Sequence, residues 1–368
     1  MHQTPHPSSF LNTEWTAIIR QYAAQAEQRG SLHSKQLELI YRQQWFKLFV
    51  PNVYGGLQFN LPDAIKLEEG MSWADGSFGW TVTLCCGAGW FGGFLSPDIA
   101  EKIFADRDVC LGGSGAPTGT ANITSTGYEI NGQWKYATGA PHTTWFTANC
   151  VITEENTPVL NADGSPLILS FIFKKDEVEL VPAWSSIGMV ATGSHSFAIK
   201  KLHVPTSRCF KIDAENTVID NPVHRYPFLQ LAETTLAANI SGMAIHFMDL
   251  CEQFFEQRMH SKKLTDKQKQ LLNGKLRQVK DHISELRVSF YQYIERSWQF
   301  CNKNESIPQQ ILQATSVSSR ALARYAITCT DELYPFCGLI AANPASEINR
   351  VWRDIHTASQ HSLLTFSE

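Results

Sequence analysis

The chain has 368 residues, of which 43% are hydrophobic and 18% charged, with a net charge of −4; that length and composition suit a soluble globular protein of two or three domains with well-filled cores. No apolar run is long enough to span a bilayer, Met1–Ser9 has no charged-then-apolar secretory pattern, and no Lys/Arg block suits a phosphate backbone, so neither a membrane nor a nucleic acid is expected as a partner. The nine cysteines follow no zinc-binding spacing, so no metal is expected and a reducing cytoplasm is the fitting compartment.

In chain order, the first third has helical periodicity. Thr13 is placed to cap a helix with Trp15, Ile18, Ile19 and Tyr22 along one face. Ser34 to Phe49 continues the pattern until Pro51, and Leu61 to Trp73 is amphipathic. Ser77 to Phe94 is apolar nearly throughout and reads as a buried helix, although Gly79, Gly87, Gly89, Gly92 and Gly93 each weaken it by up to ~1 kcal/mol. Close packing against a helix or a ligand would compensate. From Asp108 the period becomes two, with strands expected at Tyr128–Ala137, Trp145–Thr153, Leu167–Lys174, Glu177–Pro182 and His195–Val204. Beyond Pro227 the pattern is helical again: Phe228–Met259, Asp266–Asn302, Pro308 to about Glu332, and a last helix from Asn343-Pro344 through His361. Long antiparallel helices of this kind form an up-down bundle.

The stretch from Leu111 to Phe146 organises the rest. Gly112 to Thr120 is a Gly/Ser/Thr loop whose small residues let backbone N–H groups approach a ligand. A hairpin is expected next, with Asn131-Gly132 at its turn. Thr138-Gly139-Ala140-Pro141-His142 then gathers polar groups beside Trp134 and Trp145. Such a segment suits a flat, phosphate-bearing cofactor.

The runs Ser114-Gly-Ala-Pro-Thr-Gly-Thr-Ala and Gly132-Gln-Trp-Lys-Tyr-Ala-Thr-Gly-Ala resemble the flavin-binding segment of the acyl-CoA dehydrogenase superfamily, and more closely that of its flavin-dependent monooxygenase branch. Pro51-Asn-Val-Tyr-Gly-Gly resembles the superfamily's N-terminal signature, and Gly188-Met-Val-Ala-Thr-Gly-Ser-His resembles a run of the branch, with Val190 where Arg is usual. The resemblance implies an α+β multi-domain fold: an N-terminal helical domain over 1–108, a central β-domain over 109–222 and a C-terminal four-helix bundle over 223–368. It implies bound FAD or FMN, delivered reduced by a separate flavin reductase, and a homotetramer or dimer.

The resemblance also implies roles. Ser114 falls at the flavin's pyrimidine edge, Thr120 at phosphate, Thr138 at the N5/O4 edge with Gly139 beside it, and Tyr136 as the aromatic wall, with Trp134 and His142 in the same segment. Arg258 stands where an arginine reaches a neighbouring subunit's cofactor phosphate, although Ser261-Lys262 replace the usual Phe-Gly after it. His195 and Trp90 are expected on the substrate side. Trp352-Arg353 followed by His361 matches the monooxygenase ending, and His361 is the expected substrate-side acid/base. In dehydrogenases a glutamate at the position of Ser362 abstracts the α-proton; only Glu368 is a carboxylate beyond Asp354, and serine cannot do this unaided. No histidine lies between His33 and His142, where many of these monooxygenases carry a second one. The expected activity is oxygenation of a small aromatic or heteroatom-containing substrate through a C4a-(hydro)peroxyflavin. The alternatives are an acyl-CoA dehydrogenase or oxidase with a displaced base, and a non-catalytic flavin-binding protein of the same fold.

Overall fold

The computed structural model describes residues 4–259 and 264–365; Ser261, Lys262 and Glu368 lie outside them. Five helices come first: α1 (Thr13–Arg29), α2 (Ser34–Gln43), α3 (Leu61–Ala74), α4 (Gly76–Gly89) and α5 (Pro97–Phe104). Asn12, not Thr13, caps α1, its Oδ1 accepting the Glu14 N–H at 2.8 Å. The helix expected to reach Phe49 stops at Gln43, because Gln44 takes a left-handed φ of 57° and a 3-10 turn then buries Trp45 and Phe46.

The glycine-rich helix is real, and its glycines answer to contact. A Cβ on Gly79 would lie 2.5 Å from the Ser72 backbone nitrogen, and one on Gly89 2.9 Å from the Phe46 carbonyl. These glycines let α4 lie close on α3 and on the turn after α2, so tight packing offsets their low propensity.

Eight strands follow: β1 (Leu111–Thr124), β2 (Gly127–Ala137), β3 (Trp145–Glu154), β4 (Thr157–Pro158), β5 (Ile168–Lys174), β6 (Glu179–Val181), β7 (His195–Pro205) and β8 (Cys209–Phe210). They form one sheet ordered β6-β7-β2-β1-β3-β5-β8, with β4 paired to β3. The expected Gly112–Thr120 loop is therefore strand, interrupted where the β1–β3 register shifts between Ser114 and Gly119. The hairpin turn also moves. Thr124 pairs with Gly127, so the chain reverses at Ser125-Thr126, while Asn131-Gly132 sits inside β2 opposite a bulge of β7. Gly132 is there for space: a Cβ would lie 2.6 Å from the Gly119 Cα, against the Trp134 indole. Asn131 Oδ1 instead accepts the Lys201 N–H at 2.8 Å.

The C-terminal part comprises α6 (Pro222–Arg225), α7 (Phe228–Met259), α8 (Asp266–Asn302), α9 (Gln309–Leu333), α10 (Leu339–Ala342), α11 (Glu347–Ala358) and α12 (Ser362–Thr365). Helix α7 is buried over most of its length between α3 and α9. A buried carboxylate fastens this junction: Glu69 accepts from Arg287 and Tyr291 of α8, both at 2.7 Å, and from Ser241 of α7 at 2.6 Å. The single final helix expected to run through His361 is broken, which leaves His361 in the turn between α11 and α12. Among the described residues no helix is long and apolar enough to cross a membrane, and all nine cysteines are free thiols.

Candidate functional site

Where the sheet meets α4 and α7 lies an open cleft with a volume of about 250 Å³. Its sheet side is Gly112–Gly115 of β1, Tyr136 and Thr138, Thr147–Asn149 of β3, and Ser170. Its helical side is Thr83, Leu84, Gly87, Ala88 and Phe91, then Phe228, Leu231, Ala232, Thr235 and Leu236 of α7, with His361 and Leu363 closing one end. Among the described residues the lining contains no Asp, Glu, Lys or Arg.

The sheet side is shaped for a flat ring. Tyr136 has φ 64° and 68% exposure. A non-glycine aromatic in the left-handed region is strained, and such strain persists where the surroundings fix it. Here it breaks the strand's alternation, so Trp134 points into the sheet's core while Tyr136 stays at the cleft. Trp184 stands edge-on to Tyr136 at 6.1 Å, its Nε1 donating to the Met189 carbonyl at 2.9 Å. Nearby, Gly115–Thr118 are exposed at the β1 irregularity. Asn149 holds this bend, donating to the Gly115 carbonyl at 2.8 Å and accepting from Ser170 at 2.7 Å. An exposed ring, unpaired backbone and the hydroxyls of Ser114 and Thr138 fit a flavin, whose ring faces are apolar and whose edge is polar.

Thr138 is buried, its Oγ1 3.1 Å from Ser194 Oγ. Ser194 Oγ is 2.7 Å from Thr192 Oγ1, which donates to the Met189 carbonyl at 2.7 Å. The Thr192–Ser194 loop is docked on the Thr138–Gly139 turn by the Gly139 N–H, which donates to the Thr192 carbonyl at 2.8 Å; Gly139 itself has φ 74°. A further clasp fixes the same loop from α11. Asp354 accepts the Met189 N–H at 2.5 Å, and Arg353 donates to the Ile187 carbonyl at 2.5 Å and to Glu27 at 2.6 Å. Burial pushes the Asp354 carboxyl up to about 8, with Asp75 adding to the effect. The Arg-Asp pair of the C-terminal run thus holds loop and helices together.

At the other end, His361 Nδ1 accepts the Leu363 N–H at 3.4 Å, and burial lowers its pKa. The neutral ring therefore carries its proton on Nε2. In α4, a Cβ on Gly87 would meet nothing within 4 Å, so this glycine widens the cleft.

Of the residues singled out in the sequence, Ser114, Tyr136, Thr138 and His361 line one cleft. The others do not. Trp134 is fully buried and stacks on Phe197 at 5.2 Å. Trp90 is buried where α4 tightens into a 3-10 turn, its Nε1 donating to the Val223 carbonyl at 2.8 Å. Covered on all sides, neither tryptophan can touch a ligand. Gly139 forms the turn beside Cys85, where a Cβ would lie 2.8 Å from the thiol. Thr120 is exposed on β1, outside the cleft, its Oγ1 3.5 Å from the Asn131 carbonyl. His142 also lies outside it; burial, with Lys175 and Arg29 nearby, pushes its pKa down to about 4. His195 Nδ1 accepts the Ala183 and Trp184 N–H groups at 3.3 and 3.2 Å, as a brace for that bend. Arg258 lies 30 residues along α7 from Phe228, about 45 Å away, and donates to the Phe336 carbonyl. Thr83, Asn149 and the first turns of α7 reach the cleft, and Thr192 and Ser194 the back of Thr138, only through folding, so none stood out in the sequence as a site residue. The Thr192-Gly193-Ser194 run was the one available signal.

The model of the acyl-CoA dehydrogenase C-terminal domain matches residues 234–366. The oxygenase subunit HsaA of a flavin-dependent monooxygenase from Rhodococcus jostii (strain RHA1) is 24% identical over 357 residues, covering 94% of this chain and 91% of that protein. The fold matches the crystal structure of 3-HSA hydroxylase from Rhodococcus sp. RHA1 with a TM-score of 0.89 at 20% identity, covering 99% of this chain and 94% of the other. It matches XiaF from Streptomyces sp., in complex with FADH2 and glycerol, with a TM-score of 0.86 at 20% identity, covering 95% and 89%.

Proposed function

We propose that this chain is a member of the flavin-dependent monooxygenase branch of the acyl-CoA dehydrogenase superfamily and the oxygenase component of a two-component system. It would take reduced FAD or FMN from a separate reductase and insert one atom of O2 into an uncharged, ring-shaped substrate. The observation that carries this reading is the exposed, strained Tyr136 ring beside Ser114 and Thr138, facing an apolar wall that ends at His361.

Bound reduced flavin supplies the reaction with O2. The chain's own residues orient, shield and supply hydrogen bonds. Tyr136 would hold the ring face, and Ser114 and Thr138 would meet its polar edge. Leu84, Phe91, Phe228, Leu231 and Leu236 exclude water and seat the substrate ring. His361 offers Nε2–H to a substrate oxygen or nitrogen, so it acts first as a donor. To act as a base at Nε2 it would need the proton moved to Nδ1, which would cost Leu363 its acceptor. An α-proton abstraction has no carboxylate among the lining residues to perform it, which argues against the dehydrogenase alternative.

Assembly and location extend the proposal. Exposed Val317, Leu339 and Ile340 on the bundle support a homotetramer or dimer, and sedimentation at micromolar protein tests it. The nine free thiols support a reducing cytoplasm. The central experiment is anaerobic titration with chemically reduced FAD and FMN, then mixing with isotopically labelled O2 and indole. Labelled oxygen in the organic product is the expected result. Absence of flavin binding overturns the reading, and so does flavin binding without label transfer to any neutral arene offered.

A further inference from the structure

The three hydroxyls behind the cleft have only one arrangement of protons that satisfies all their hydrogen bonds. The Met189 carbonyl can only accept, so the Thr192 proton is committed to it at 2.7 Å. The 2.7 Å contact between Thr192 and Ser194 must then use the Ser194 proton, and the 3.1 Å contact between Ser194 and Thr138 must use the Thr138 proton. A hydroxyl has one proton and two lone pairs. Thr138, which lines the cleft, therefore has only lone pairs left on Oγ1 to offer a ligand there. The loop cannot easily turn to relax this, because the Asp354 carboxyl and the Gly139 N–H hold it from both sides.

We propose that Ser194 and Thr192 are positioning residues whose one-way hydroxyl relay makes Thr138 an acceptor, so that the site prefers flavin with an N–H at N5 over flavin with a bare N5. The inference rests on the reading that the flavin edge meets Thr138. Reduced flavin carries that N–H and oxidised flavin presents a lone pair, which a lone pair on Thr138 repels. The oxygenase would thereby hold the incoming cofactor and release the spent one, as a component fed by diffusion from a reductase requires.

The test measures dissociation constants of reduced and oxidised FAD and FMN for the wild type, Ser194→Ala, Thr192→Val and Ser194→Thr. Wild type should bind reduced flavin more tightly. Ser194→Ala and Thr192→Val should each lower the reduced-over-oxidised preference by about three- to tenfold, the worth of one hydrogen bond. A tenfold loss lowers the bound flavin's two-electron potential by about 30 mV. Ser194→Thr keeps the relay and should keep the preference. Two results overturn the proposal: an unchanged preference in both breaking variants, or the same loss in Ser194→Thr, which would assign the effect to side-chain shape. Should Ser194→Ala not accumulate as folded protein, Thr192→Val decides alone from the far end of the relay. Wild type that binds neither redox form would instead refute the flavin reading itself.

Discussion

The imidazole of His361 accepts the backbone N–H of Leu363 through Nδ1 at 3.4 Å, while its ring stands edge-on to Trp80 at 6.1 Å. This fixes the tautomer from within the turn between α11 and α12, and burial keeps the ring neutral by lowering its pKa. A histidine so held carries its proton on Nε2 near neutral pH.

His361→Ala should therefore cut product formation by about 10²-fold or more while flavin still reacts with O2, so reducing equivalents appear as hydrogen peroxide. His361→Gln, which retains an N–H donor, should retain more product than the Ala variant. The control is His356, which pairs with Asp331 at 3.0 Å and packs on the Trp352 ring. His356→Ala should leave product yield unchanged. Equal loss in the Gln and Ala variants would remove the donor role.

Thr138→Val keeps the shape of the flavin edge and deletes one hydroxyl. Reduced-flavin affinity should fall about three- to tenfold. The bound-flavin spectrum should shift with it. Unchanged affinity and spectrum would take Thr138 out of the site.

The α4 glycines separate packing from ligand space. Gly87→Ala places a methyl where nothing lies within 4 Å, so it should stabilise the helix by about 0.5–1 kcal/mol. It should also disfavour the bulkiest substrates. Gly79→Ala and Gly89→Ala press a methyl on backbone atoms at 2.5 and 2.9 Å and should lower the melting temperature. Urea midpoints decide, and equal effects at all three positions would deny that Gly87 faces open space.

Much of this fold is legible in the sequence. Period-two patterning placed the central strands and period 3.6 the long helices, because both report which face is buried. The errors cluster where local signals compete with tertiary contact. Asn131-Gly132 has turn chemistry, yet Gly132 serves to seat Trp134, and the Lys201 N–H claims Asn131. Trp90 lies in the right segment, but the shift to a 3-10 turn swings its indole to Val223. The Thr192–Ser194 relay was illegible because its direction depends on one distant carbonyl, at Met189.

Substrate charge is a further discriminator. The cleft lining offers a carboxylate no cation, and an unpaired buried charge is costly. Indole should be oxygenated at least about tenfold more efficiently in kcat/KM than indole-3-acetate, a penalty of about 1.4 kcal/mol or more. A preference for the acid would place a cation in the cleft that the described residues do not provide, such as one from a second copy.

The last prediction concerns Glu68 of α3, a carboxyl with no exposure. Its Oε1 accepts the Cys86 thiol at 3.4 Å and its Oε2 has no partner among the described residues. Burial pushes its pKa up to about 8, whereas an unfolded glutamate ionises near 4.3. The folded state therefore keeps a proton that the unfolded state gives up. The sign follows: this group's contribution is fully present below about pH 4.3 and declines as pH rises towards 8. The limiting slope is about 1.4 kcal/mol per pH unit. Asp354 behaves alike but is common to both proteins being compared, so it cancels. Glu68→Gln never ionises and should gain on the wild type across that window, by a few kcal/mol at pH 8, with the difference shrinking towards pH 4.5. Urea denaturation at pH 4.5, 6 and 8 reads this out as a widening gap in midpoint at constant m. A gap that stays constant with pH would mean that Glu68 is ionised in the fold, and would require a cation or bound water at Oε2.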